Sequence, residues 1–410
     1  MPRIGPALIA FGSRILTLIA LDMSVVAELP TTETMQANEY RWLRNGRQAV
    51  DAMLEAIGEA QVSVRLETFI FHSGEVGDAF RDALIAAQKR GVRVRVMCDA
   101  LGSIKLLKSY WDPLVEVGGE FRWFNPLEIK RLAHRDHRKI LVVDEKVAFI
   151  GGFNIGTEYC GDGITCGWRD LGLRIEGPLA RELADTFNDL FARADFRHRR
   201  FQRIRHTRSD AVVTGPDWTL LLTGPGRGHR ALKHSLAHDF AKAESIQIMS
   251  AYFLPNLRLI RELNRAAKRG ARVRLILAGK SDVWLMRMAT RGLYPSLLRA
   301  GVEIYEYEPQ ILHAKVIIVD NIVYAGSANL DARSLSINYE VIARLPNEAL
   351  AAEASEIFAA DIKYCRRIDR KERNRGRRPW HGLLERWAFF ILARLDPYIA
   401  RQQRRNLLQS

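Results

Sequence analysis

Cysteine is scarce in this chain. Cys98, Cys160, Cys166 and Cys365 are the four in 410 residues, with no CxxC pair and no metal-ligand spacing. That excludes a disulfide scaffold and a zinc ribbon, and it fits a reduced, cytosol-facing protein with no metal and no cofactor. Long apolar runs are also missing. Ile15 to Leu21 is apolar but closely flanked by Arg14 and Asp22, whereas a bilayer span needs roughly 18 or more such residues. The run reads as an amphipathic lead-in, or as an upstream extension with Met23 as the working start; a signal peptide cleaved after Val25-Val26-Ala27 is the alternative. The glycine cluster Gly224-Pro225-Gly226-Arg227-Gly228 lacks the GK[ST] ending of a phosphate loop and reads as a turn. Acidic residues are in deficit, 47 against 62 lysines and arginines, for a net charge of +15. Such a chain attracts polyanions, either nucleic acid or an anionic membrane surface. With 48% hydrophobic and 27% charged residues, extended disorder is excluded and a large core is affordable.

What is present is a repeat. Val64 to Phe71, VRLETFIF, has the apolar and β-branched content of a strand; a helical segment follows, and then Lys89-Arg90-Gly91 leads into the alternating Val92 to Val96. Ile246 to Leu254, IQIMSAYFL, begins the same series, which continues through a helix to Lys268-Arg269-Gly270 and a strand to Leu275. In each copy the glycine is placed to end the helix in a left-handed conformation. Strands alternating with helices, twice over, predict two similar α/β halves with mixed sheets flanked by helices, related by a pseudo-twofold axis. The expected organisation is a lead-in over 1–38, a first half over 39–208, a second half over 209–365 and a basic amphipathic tail over 366–410. The arginine-rich Arg193 to Arg208 between the halves reads as a solvated linker or as a phosphate-facing patch.

The strongest repetition is His137-Arg138-Lys139-Ile140-Leu141-Val142-Val143-Asp144 against His313-Ala314-Lys315-Val316-Ile317-Ile318-Val319-Asp320. Residues two apart at a strand edge share a face, so each His stands beside its Lys. After the Asp a second strand returns to Gly151-Gly152-Phe153-Asn154 in one copy and Gly326-Ser327-Ala328-Asn329 in the other. That return brings Asn154 towards His137 and Asn329 towards His313. The interval from Asp to the first Gly is one residue longer in the first copy, a slip expected to sit in the turn.

Facing halves would place two imidazoles, two ammonium groups and two amides around one pocket. The set suits a phosphodiester. Lysines and amides neutralise non-bridging oxygens, one neutral imidazole attacks phosphorus, and the other protonates the leaving alkoxide. His137, Lys139, Asp144, His313, Lys315 and Asp320 are therefore the candidate catalytic set. Within it, Asp144 and Asp320 are expected to hold the motif in shape without touching substrate, because an Asp in a hairpin turn is usually structural.

The pattern H-x-K-x4-D followed by G-x-x-N, twice, resembles the paired HKD motifs of the phospholipase D superfamily over roughly residues 40 to 365. The resemblance implies a phosphohistidine intermediate, with His137 as nucleophile and His313 as general acid. It also implies an acidic residue downstream supporting each His. Asp170, 33 residues after His137, and Glu340, 27 after His313, are the candidates, with Ser327, Asn154 and Asn329 as further substrate-binding or orienting residues.

Within that superfamily, Leu66-Glu67-Thr68-Phe69-Ile70-Phe71, Trp168-Arg169-Asp170 and Gly326-Ser327-Ala328-Asn329-Leu330-Asp331 resemble the bacterial cardiolipin synthases of the short, peripheral type. The implied reaction transfers a phosphatidyl group between phosphatidylglycerol molecules and releases glycerol. The implied partners are anionic phospholipid and the membrane surface, expected at its cytoplasmic face, with no obligatory nucleic acid. Arg366 to Arg378, with eight basic residues against two acidic, followed by Trp380 to Leu395, fits an anionic interface. A helix packed on the core is the other reading of that segment. The alternatives for function are a phospholipase D-type hydrolase, a nuclease of the same superfamily and, more remotely, a non-catalytic polyanion-binding protein.

Overall fold

A computed structural model describes residues 37–126, 134–194, 212–224, 230–369, 371 and 381–392. The lead-in run, most of the arginine-rich linker, the glycine cluster beyond Gly224 and the basic stretch of the tail lie outside these residues. Among the described residues there are two mixed sheets. The first contains β1 (Glu39–Leu43), β2 (Ser63–Thr68), β3 (Arg93–Asp99), β4 (Glu120–Phe124), β5 (Ile140–Val143), β6 (Val147–Gly151) and β7 (Gly172–Glu176), in the order β1-β7-β6-β5-β2-β3-β4. The second contains β8 (Val212–Thr214), β9 (Thr219–Thr223), β10 (Ser245–Ser250), β11 (Arg272–Ala278), β12 (Glu303–Tyr307), β13 (Lys315–Val319), β14 (Ile322–Gly326), β15 (Glu340–Pro346) and β16 (Cys365–Ile368). Its order, β16-β12-β11-β10-β13-β14-β15-β9-β8, repeats the first with an extra strand at each edge. The expected pair of α/β halves is thus the architecture observed.

Helices cover both faces of each sheet. α1 (Gly46–Glu59), α2 (Glu75–Lys89) and α3 (Asp112–Glu116) pack on the outer face of the first sheet over Val64, Leu66, Val94 and Val96. α5 (Ala231–Lys242), α6 (Leu257–Lys268) and α7 (Trp284–Ala300) do the same for the second, over Ile246, Ile248, Val273 and Leu275. Between the sheets, α4 (Pro178–Phe191) and α8 (Glu348–Ile362) join one core built from both halves, including Ile140, Val142, Leu183, Val316, Ile318 and Phe358. A shared core of this kind fixes the halves against each other through apolar burial. Gly91 and Gly270, at φ 92° and 100°, sit just after the ends of α2 and α6 in the conformation that glycine adopts without strain.

Two sequence expectations are corrected here. Strands β2 and β10 stop at Thr68 and Ser250, short of the apolar runs that contain them. The Thr68 and Ser250 hydroxyls donate to the carbonyls of Ile70 and Tyr252 (3.0 and 2.9 Å) and turn the chain out of the ladder. Arg366 and Arg367, assigned to a tail, instead lie in β16 and pair with Glu306 and Tyr305 of β12. Their place is electrostatic as well: the Arg366 guanidinium contacts Glu306 and Glu308 at 2.8 and 2.7 Å. α9 (His381–Phe390) buries Ala388 and Glu385 against the second half but leaves Trp387 and Phe390 63% and 56% exposed. No helix among the described residues is long and apolar enough to cross a membrane.

Candidate active site

The register explains how the candidate residues reach one place. β5 runs antiparallel to β2 with Ile140 opposite Glu67, and β13 antiparallel to β10 with Lys315 opposite Ser250. Each His-Lys pair therefore stands at the edge of its sheet where the parallel strands end. The hairpins then run away from that edge. Val143 pairs with Val147 in the first and Val319 with Ile322 in the second, so the one-residue slip does sit in the turn.

At the edge, the halves are stitched to each other. Tyr339 bridges Asp136 in parallel fashion, with the His137 N–H donating to the Tyr339 carbonyl (3.0 Å) and the Tyr339 N–H to Arg135 (2.9 Å). Arg169 bridges Leu312 in the same way, its N–H donating to Ile311 (2.8 Å) and its carbonyl accepting from His313 (2.7 Å). In each bridge the residue before an acid meets the residue before a histidine of the other half.

The consequence is an exchange of acids. Glu340, of the second half, lies 3.0 Å from His137 Nδ1, and Asp170, of the first half, lies 2.6 Å from His313 Nδ1. Sequence adjacency pairs them the other way round, each acid with the histidine of its own half, and the structure corrects that. With Nδ1–H donated to a carboxylate, Nε2 of each ring is left as the reactive nitrogen. Ser327 donates to Glu340 Oε2 (2.6 Å) and so fixes the carboxylate; at the equivalent position in the first half stands Gly152, where a Cβ would lie 2.2 Å from Asp170 Oδ1. The absence of a side chain there admits the Asp170 carboxylate.

Both lysines are buried, and each Nζ donates to the carbonyl of its own histidine. Burial lowers Lys139 to about 7, even with Glu340 opposing it, and Lys315 is its next neighbour in charge. Lys315 is lowered as well, again by burial. His137 is pushed down to about 4 by burial, against the pull of Glu340, and His313 is lowered by burial and by Lys315. Glu340 is raised by burial, but His137, Lys139 and Ser327 outweigh this and hold its carboxyl below the ordinary range. Each of these groups feels members of the other half, so the charges form one site.

Asn154 is buried; its Oδ1 accepts from the Ile70 N–H (3.1 Å), so the NH2 is the end that remains to donate. Asn329 is buried at the equivalent place, and its Oδ1 makes no hydrogen bond among the described residues. Asp144 and Asp320 are not brought to this pocket. They lie about 16 Å along the strand from their lysines, at roughly 3.3 Å per residue. Asp144 accepts from the N–H groups of Gln61, Val62 and Ser63, and Asp320 from those of Glu244 and Ser245.

Aromatic side chains that motif spacing does not reveal complete the walls. The Phe69 ring is 5.0 Å from the His137 ring and 5.3 Å from Lys139 Nζ. Tyr159 and Trp168, both from the first half, lie 5.4 and 5.3 Å from the His313 ring. The signal for Phe69 is its place directly after β2.

Two α/β halves closing on paired His-Lys edges, with exchanged acids, define the phospholipase D class of enzyme. The chain belongs to that superfamily, in the family described as "Cardiolipin synthase, PLD-like domain", whose model matches residues 53–193 and 236–362. It is 33% identical over 374 residues to the protein named Cardiolipin synthase B of Escherichia coli K12, covering 88% of this chain and 89% of that one. It is 32% identical over 347 residues to a Cardiolipin synthase of Clostridium perfringens strain 13, covering 81% and 72%. Among solved structures, phosphatidylserine synthase of Haemophilus influenzae superposes with a TM-score of 0.67 at 16% identity, over 88% of this chain and 94% of that one. Polyphosphate kinase of Porphyromonas gingivalis superposes at 0.55 with 15% identity, over 90% and 53%. These two likenesses concern the fold.

Proposed function

We propose that the protein is a cardiolipin synthase working through a covalent phosphohistidine. The observation that carries the reading is the pair of imidazoles, each oriented at Nδ1 by a carboxylate of the other half and flanked by a buried lysine. His137 Nε2 attacks the phosphorus of phosphatidylglycerol and forms the P–N bond. The P–O bond to glycerol breaks, and His313 gives its Nε2 proton to the departing oxygen. A hydroxyl of a second phosphatidylglycerol then attacks phosphorus, losing its proton to His313 as the P–N bond breaks. Cardiolipin leaves and both histidines are restored.

The protonation states fit this division. A neutral His137 is the form that attacks, and burial holds it so. His313 is lowered as well, by burial and by Lys315. An arriving phosphodiester anion raises the affinity of the site for a proton, and His313, with Asp170 at 2.6 Å, is placed to hold it. Lys139, Lys315, Asn154 and Asn329 meet the non-bridging oxygens, where charge grows in the transition state. Asp144 and Asp320 support the strands. The lipid substrate and the basic surface imply peripheral attachment to the cell membrane, at its cytoplasmic face.

The test is incubation of purified protein with phosphatidylglycerol vesicles containing EDTA, followed by lipid mass spectrometry, beside His137→Ala. Cardiolipin plus glycerol, absent in the variant, is the expected result. Phosphatidic acid alone would replace the reading with a hydrolase, and cleavage of single-stranded DNA without lipid turnover would replace it with a nuclease.

A further inference from the structure

Exposed apolar side chains gather at the mouth of the site on two equivalent loops. β3 and β11 hold the same place in their sheets. Beyond β3, Ile104 and Leu107 are 58% and 73% exposed and alternate with exposed Lys105 and Lys108. Beyond β11, Val283 and Trp284 are 40% and 55% exposed. Both loops leave their sheets at the edge where the His-Lys pairs stand, since Thr68 and Cys98 are partners in one sheet and Ser250 and Leu277 in the other.

These loops are held to the site. Ser103 Oγ donates to the Phe69 carbonyl (3.1 Å) and accepts from the Phe71 N–H (2.9 Å), so the Ile104 loop is fastened to the residue whose ring lies against His137. Tyr252 donates to Asp282 (2.7 and 2.8 Å), fastening the Trp284 loop to the segment that follows β10. Single exposed apolar residues need no explanation. Two pairs on pinned loops, at matching positions and with lysines interleaved on one of them, call for an occupant. Trp, Leu and Ile beside Lys is the chemistry of a lipid interface, and the net charge of +15 favours an anionic one.

We propose that the protein docks on an anionic bilayer with its active-site edge, through Ile104 and Leu107 of one half and Val283 and Trp284 of the other. The apolar side chains enter the boundary between headgroups and acyl chains, and Lys105 and Lys108 meet the phosphates. This rests on the lipid reading above, and it explains how a lipid phosphodiester reaches histidines that are only 8% and 5% exposed. With the mouth against the surface, a headgroup rises into the site while its acyl chains remain in the bilayer.

The full chain is floated with vesicles of phosphatidylglycerol and phosphatidylcholine, comparing wild type, Leu107→Asp/Trp284→Asp and Val115→Asp. Val115 is a control, 51% exposed on α3 near the opposite edge of the sheet. The double variant is expected to bind vesicles at least about tenfold more weakly at an unchanged melting temperature, and Val115→Asp to bind as wild type does. Turnover on vesicles should fall several-fold further than turnover of a short-chain phosphatidylglycerol held below its critical micelle concentration. Wild-type vesicle binding by the double variant would overturn the proposal, as would an equal loss in Val115→Asp or weakened binding of single-stranded DNA in place of vesicles. If wild type binds vesicles through these loops yet turns over no lipid, the docking surface stands and the proposed activity falls.

Discussion

An ammonium group buried beside a second ammonium group keeps its proton less readily than one in water. Lys139, lowered to about 7 by burial and then by Lys315 after the opposing Glu340, is such a group. In the proposed mechanism His137, lowered to about 4, acts without its proton, whereas Lys139 and His313 act with theirs, and His313 is lowered as well. The free enzyme is therefore competent above the first value and only while both Lys139 and His313 keep their protons. We expect kcat/KM to rise through about pH 4 and to fall in two steps, one below the ordinary histidine range as His313 loses its proton and one near pH 7 as Lys139 loses its own. In Lys139→Arg the step near pH 7 should vanish, because a guanidinium does not titrate there, while the step set by His313 stays. A step near pH 7 that persists in the variant would assign it to another group. The halves also differ beneath their histidines. Arg138 is paired with Glu67 at 3.0 Å, and Asp136, next to Glu67, is held well above the carboxylate range by burial and by that neighbour's charge. The second half has Ala314, Met249 and Leu312 in the corresponding places. The first half thus sets His137 on a charged floor and the second sets His313 on an apolar one.

At the scale of the hairpin, the Asp that ends each motif works through the backbone. Asp144 and Asp320 adopt φ of 53° and 49°, and each carboxylate ties its turn to the N–H groups at the start of the neighbouring strand. Asn tolerates that conformation and keeps one acceptor; Ala keeps neither advantage. Asp144→Ala should destabilise the fold by about 2 kcal/mol, and Asp144→Asn by clearly less, while turnover per folded molecule changes little in either. Thermal melts beside activity assays decide it, and a well-folded Asp144→Asn with lost turnover would mean a chemical role. These hairpins were the most legible part of the chain. The alternating run after each His-Lys pair, the Gly-x-x-Asn return and the one-residue slip are all local signals. The ends of β2 and β10 were not legible, because a hydroxyl bonding two residues ahead overrides an apolar pattern that continues to Phe71 and Leu254. Nor was β16, whose arginines look like the start of a membrane-facing basic run until Glu306 and Glu308 are seen opposite them.

Across the whole molecule, the partnership of acids and histidines is a property of neither half. Sequence spacing brought Asp170 and Glu340 into consideration, but which histidine each serves depends on contacts 143 and 203 residues apart along the chain. A substrate with a p-nitrophenyl leaving group separates the two roles, since its departure needs no proton. Asp170→Asn and Glu340→Gln should each lose about 10²–10⁴-fold on the natural lipid. On the activated substrate, read as the first release of p-nitrophenolate before His313 must take the acceptor's proton, Asp170→Asn should recover most of that loss and Glu340→Gln should not, although Glu340 lies in the second half. Recovery by Glu340→Gln alone would mean that His313 is the nucleophile.

The exchange also acts on the growing polypeptide. At about 5–20 residues per second, roughly 10–40 s separate synthesis of His137 from synthesis of the carboxylate 203 residues later that orients it. A nascent chain thus carries a complete first motif without its orienting acid. Its chemistry starts only once synthesis has passed Glu340 and the second half has folded against the first.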